Sequence, residues 1–131
     1  EGLARIGLLD FQDIAFAHPA YDVASLTQDA RLDVPAALEI DLLEAYVTAR
    51  RARDPAFDEA TFRRAHAILA AQRTTRLLGQ FVRLAVRDGK PAYLRHVPRQ
   101  WAYLERLLAE PVLHPLKLWY EDVVPAERRH V

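Results

Sequence analysis

Three groups of side chains in this sequence have the types and spacing for chemistry. The first is LLDFQD at residues 8–13, where an apolar run ends in two acids, Asp10 and Asp13. An acid at the C-terminal end of a buried strand stands on a rigid support that opens outward, which suits a ligand to a hard cation. Phe11 directly after Asp10 lets packing continue past the carboxylate and hold it in place. Asp13 equally suits a solvated loop. The second group is HPAYDVASL at residues 18–26, where the plain reading of Asp22 is a helix N-cap. The third lies further on: Gln72, Arg73, Arg76, Gln80, Arg83 and Arg87 fall in one narrow stripe at about 100° per residue. Such a stripe is either the solvated basic face of an amphipathic helix or an anion site, since an arginine fork binds a carboxylate through paired hydrogen bonds. Phe62 and Leu69 lie near the same stripe one or two turns earlier, so part of it is expected to be buried.

The elements that must position these groups are mostly helical. Residues 4–11 read as the one strand, with Ile6, Leu8, Leu9 and Phe11 apolar and Gly7 allowing close approach of another backbone. Residues 21–30 read as a helix with Tyr21, Ala24, Ser25 and Leu26 near its apolar face. Pro35 suits the first turn of a second helix that fails before Pro55. Asp58 caps a third that runs to about Arg87. After the RDGKP turn, Pro98 opens a fourth helix through QWAYLERLLAE. HPLKLWYEDV gives one more short helix or an irregular cover, and residues 122–131 read as a tail. One strand followed by four or five helices makes the chain mainly α, the helical end of a larger α+β protein.

Composition narrows the function classes. The chain has 131 residues, of which 51% are hydrophobic, enough for an ordinary single core. Eighteen basic and eighteen acidic residues cancel, so no overall field calls for nucleic acid or an anionic membrane. There is no cysteine, which removes disulfides and thiol chemistry and fits a reducing, cytoplasmic setting. No run approaches the roughly 18 apolar residues of a membrane span. With no methionine, Glu1 reads as an internal residue, and the lone strand as the edge of a sheet that lies upstream. The five histidines show no ligand spacing and read as surface or packing residues. Trp101, Tyr103, Trp119 and Tyr120 read as core rather than as a stacking platform for a sugar.

Taken together, D-F-Q-D followed by H-P-A-Y-D-V-A-S-L resembles the aminoglycoside phosphotransferase and choline kinase-like superfamily. In that family a strand delivers a magnesium-binding aspartate, matched here by Asp10. A second aspartate, after Pro-x-Tyr, braces the catalytic loop, and Asp22 matches it. Gln12 stands where the protein kinase motif has glycine. The stretch AAQRTTRLLGQFVRLAVRDGKPAYLRHVPRQWAYL is similar to the branch of bacterial sugar kinases that phosphorylate the anomeric hydroxyl of N-acetylmuramate and N-acetylglucosamine in cell-wall recycling. The residues that carry this likeness are Gln72, Arg73, Gly79, Phe81, Arg83, Leu84, Arg87, Asp88, Gly89, Lys90, Pro98, Arg99, Tyr103 and Leu104.

The resemblance covers about residues 5–110 and implies that residues 1–131 are the C-terminal helical subdomain of a protein-kinase-like C-lobe. It implies ATP and Mg2+ as cofactors, Asp10 as catalytic metal ligand, and Gln12, Asp13, Gln72, Arg73 and Arg76 near the sugar. The nucleotide lobe and the loop His-x-Asp-x-x-x-x-Asn are expected upstream. The four glycines stand at 2, 7, 79 and 89, forming no phosphate loop, and the chain has no asparagine. This stretch alone is therefore not expected to catalyse. An aminoglycoside or choline acceptor is the alternative within the superfamily, and a non-catalytic helical interaction module the alternative outside it.

Overall fold

The computed structural model describes residues 16–129. The expected strand, with Asp10, Gln12 and Asp13, lies outside these residues. Five α-helices make up the described part: α1 (Ala20–Thr27), α2 (Ala36–Arg53), α3 (Glu59–Val86), α4 (Val97–Leu107) and α5 (His114–Val123). Short 3-10 turns at Pro91–His96, Pro111–Leu113 and Ala126–Arg128 complete it, and no strand occurs among the described residues. None of these helices is long and apolar enough to cross a membrane.

The axis of the fold is α3, about 42 Å long at 1.5 Å per residue. It begins where Asp58 accepts the Thr61 N–H at 3.0 Å and the Thr61 hydroxyl at 2.7 Å, satisfying one of the free donors of the first turn. It ends at Gly89, whose φ of 65° lets the Lys90 N–H turn back to the Leu84 carbonyl at 3.0 Å. Between these points Ala67, Ala70 and Ala71, and then Leu77, Leu78 and Phe81, are buried against Ala24 of α1 and Val97, Leu104 and Leu107 of α4. Alanines at the middle of the contact let the helix backbones approach closely, while the leucines and Phe81 fill the wider end. A smaller cluster joins Ala20, Val23, Val47 and Phe62, with Tyr46 stacked on Phe62 at 5.1 Å between ring centres.

Several local expectations change. The apolar face of α1 is Ala20, Val23, Ala24 and Thr27, and Leu26 points to solvent. The helix starts at Ala20 because His18 Nδ1 accepts the Ala20 N–H at 3.2 Å. Asp22 therefore stands inside the first turn and caps nothing among the described residues, although its charge suits the positive end of the helix. Pro35 lies just before α2 rather than in its first turn. α4 starts one residue before Pro98 and stops at Leu107, short of Glu110 at the end of the expected QWAYLERLLAE stretch. Where a tail from residue 122 was expected, α5 continues to Val123. Arg129 then folds back, donating to the Val124 carbonyl at 2.9 Å and lying over the Trp101 ring at 5.1 Å.

Candidate functional site

The described candidates gather where α1 leaves α3. Arg73 is half-buried, and its Nη1 donates to the Gln28 carbonyl at 2.8 Å, closing the C-terminal end of α1. Burial lowers its guanidinium pKa, opposed by the neighbouring Tyr21 and Asp29. One turn on, Arg76 Nη2 donates to the Tyr21 hydroxyl at 3.2 Å. Gln72 is exposed beside them. Asp22 is exposed on α1, adjacent in sequence to Tyr21. Gln72, Arg73 and Arg76 are thus brought to one surface, and Arg73 is the member that also holds the fold. The rest of the stripe continues as a groove of about 440 Å3 lined by Arg76, Gln80, Arg83 and Arg87, where Arg87 is paired with Asp88 at 2.6 Å.

Behind this surface lies a polar network the sequence did not announce. The Gln28 amide donates to Glu39 Oε1 at 2.5 Å, and Arg106 donates to Glu39 Oε2 at 2.8 Å. The Asp29 carboxylate accepts the N–H groups of Arg31 and Leu32 at 2.6 and 2.7 Å. Desolvation opposes its ionisation, but those two N–H groups prevail and hold it below the usual carboxylate range. Gln28 and Asp29 are local turn formers by sequence, and only the pairing of α1 with α3 reveals that Arg73 depends on them. Beside the N-terminal half of α3, and sharing Glu39 and Arg106 with this network, a larger cavity of about 890 Å3 opens between α2 and α4, with Leu43, Ala67 and Leu107 beside Arg63 and the buried His66.

No three acidic or imidazole side chains converge on a cation position among the described residues. The magnesium role read for Asp10 falls outside them, as do the acceptor roles of Gln12 and Asp13. What the described surface offers is guanidinium and amide donors, chemistry for holding an oxygen-rich or anionic ligand rather than a metal.

No family model matches the chain. Individual proteins do match it. It is 43% identical over 129 residues to a Caulobacter vibrioides protein named N-acetylmuramate/N-acetylglucosamine kinase, covering 98% of this chain and 34% of that protein. Proteins of the same name from Pseudomonas putida and Neisseria meningitidis are 38% identical over 104 residues and 37% over 107 residues. They cover 78% and 79% of this chain and 31% of each relative. The chain thus spans about a third of the length of these relatives, and over that third it is similar to proteins named as N-acetylmuramate/N-acetylglucosamine kinases.

Proposed function

We propose that this chain is the helical part of an ATP-dependent sugar kinase that phosphorylates N-acetylmuramate or N-acetylglucosamine at the anomeric hydroxyl. The observation that carries the reading is the 43% identity maintained over 98% of the chain to a protein of that name. The matched stretch includes both the Asp10 segment and α3 with its guanidinium surface.

Phosphoryl transfer needs positioning and charge neutralisation more than covalent chemistry. Mg2+ and ATP supply the charge-neutralising bridge and the transferred group when bound, and Asp10 is the residue of this chain that would hold the metal through a hard carboxylate oxygen. Gln12 and Asp13, in the same stretch of sequence, would contact the acceptor. Asp22, in the first turn of α1, would brace the catalytic loop supplied by the rest of the protein. Gln72 and Arg76 are exposed on α3 and would meet the sugar, Arg76 alongside the Tyr21 hydroxyl it bonds, and Arg73 anchors the carbonyl end of α1 beneath them. An arginine at this surface suits the lactyl carboxylate that distinguishes N-acetylmuramate from N-acetylglucosamine.

The test is an assay of the full-length protein with ATP and N-acetylmuramate, scored by the appearance of the 1-phosphate. Turnover is expected in the wild type. In Asp10→Asn it is expected to fall by at least a hundredfold, with an unchanged circular dichroism spectrum, because a metal-mediated charge term is lost. Full activity of Asp10→Asn would remove its metal role. Phosphorylation of an aminoglycoside or choline instead of the sugar would move the chain to the other branch.

A further inference from the structure

The head of α4 carries a second set of guanidinium groups, and their geometry is unfinished. His96 is buried, with 7% of its surface exposed, and its ring lies against Phe81 of α3 at 5.5 Å and Tyr93 at 6.4 Å between centres. Arg95 Nε donates to His96 Nε2 at 3.3 Å, while Arg99 Nη1 stands 3.3 Å from His96 Nδ1. A neutral imidazole has one acceptor nitrogen, and a guanidinium can only donate. One of the two contacts therefore sets an N–H against an N–H, so a guanidinium and a ring nitrogen share a missing acceptor. The charge of Arg31, from the α1–α2 loop, also reaches this ring.

The facing acids fill the gap only in part. Asp29 is committed to the N–H groups of Arg31 and Leu32, and Asp33, whose side chain is 80% exposed, accepts from Arg99 Nε at 3.4 Å, leaving Arg99 Nη1 against the ring. No side chain among the described residues caps α4, and Pro98 in its first turn has no N–H.

We propose that Arg31, Arg95, Arg99 and His96 form a binding site for a phosphate group, free or carried by a small phosphorylated molecule. Guanidinium groups reach the ring from the Pro91–His96 turn and from α4, and the charge of Arg31 acts on it from the α1–α2 loop, a concentration of positive charge that suits a phosphate dianion better than a singly charged carboxylate. The ligand supplies the acceptor missing from the contact that sets N–H against N–H. Desolvation, then Arg95, Arg99 and Arg31, lower the His96 pKa, with Asp29 opposing. A bound dianion reverses the balance of charge around the ring, so its pKa rises, and a ligand that stays dianionic binds more tightly as pH falls through its titration. The site does not depend on the kinase reading.

The experiment is histidine-ring NMR on the intact protein, with the His96 signals assigned by their loss in His96→Gln. Sodium phosphate and glucose 1-phosphate are titrated separately at constant ionic strength, with acetate as the singly charged control. Saturable movement of the His96 signals by either phosphate and not by acetate is expected, and the responsive arm tells free phosphate from its ester. Arg95→Gln and Arg31→Gln, both at exposed positions, are expected to weaken binding about tenfold each, through the loss of one positive charge beside the ligand. With saturating sulfate, dianionic across the range, the His96 midpoint rises. No saturable movement, equal response to acetate, or unchanged affinity in both arginine variants would overturn the site. This outcome is independent of the sugar-kinase assay, which reads turnover alone.

Discussion

One histidine and one arginine show how burial decides what a residue does here. Arg73 belongs by sequence to a basic stripe, yet its guanidinium is spent in part on the Gln28 carbonyl, while Gln72 and Arg76 remain outward. The stripe could be read from spacing, but the carbonyl that captures its half-buried member lies 45 residues away and has no sequence signal. His66 is a packing residue, as expected, and its Nε2 is buried with no partner among the described residues. Desolvation lowers its pKa below the ordinary 6.5, with Glu39 opposing and Arg63 assisting. The sign follows from linkage: the unfolded chain binds the proton more readily, so stability contributed by neutral His66 is fully present above about pH 6.5 and is lost as pH falls toward the lower folded-state pKa. Tm measured from pH 7.5 to pH 5 is expected to fall in the wild type and to fall less in His66→Gln. An identical pH slope in the two proteins would show that His66 stays in contact with water.

At the scale of elements, α3 was the most legible, because its signals are local: an aspartate cap, a long 3.6-residue period and the RDGK turn. α1 was less so. Leu26 looked like a core residue but is 69% exposed, while small residues, Ala20 and Ala24, take the contact with α3. Helix-to-helix distance, which favours small side chains, is set by the partner and not by the helix itself. α2 shows the same limit, with Val47 buried and Leu38 and Ile40 exposed among the described residues. Two glycines on and after α3 separate backbone geometry from packing. At both positions an added Cβ would meet nothing within 4 Å, so only the backbone decides. Gly79 lies inside a helix, where alanine restricts the unfolded chain and favours the helix, and Gly79→Ala is expected to stabilise by about 0.5–1 kcal/mol. Gly89, at φ 65°, sits in the left-handed region, and Gly89→Ala is expected to destabilise by about 1 kcal/mol. Urea unfolding of the two variants checks both signs at once. Equal shifts would mean that the turn after α3 can relax to a different conformation.

For the whole molecule the deciding question is whether these helices serve a phosphotransferase or a helical interaction module. The two readings share the same core, the same caps and the same guanidinium surface, so no stability measurement on the helices alone separates them. Ligand linkage does. A protein that binds a nucleotide only when folded gains RT ln(1 + [L]/Kd), about 2.7 kcal/mol at a hundredfold excess over Kd. If the full-length protein is a phosphotransferase, Mg–ATP is therefore expected to raise its Tm by several degrees, and EDTA to abolish most of the rise. Asp10→Asn should lower the Mg-dependent part while leaving the ligand-free Tm within about 1 °C, since the substitution nearly preserves the size of the side chain. The phosphate site proposed at the head of α4 would respond to phosphate without magnesium, so a rise produced by inorganic phosphate in the presence of EDTA, with no nucleotide, belongs to that site and not to the catalytic one. A full-length protein whose Tm is unmoved by Mg–ATP, with EDTA or without it, would leave the helical module as the reading that fits.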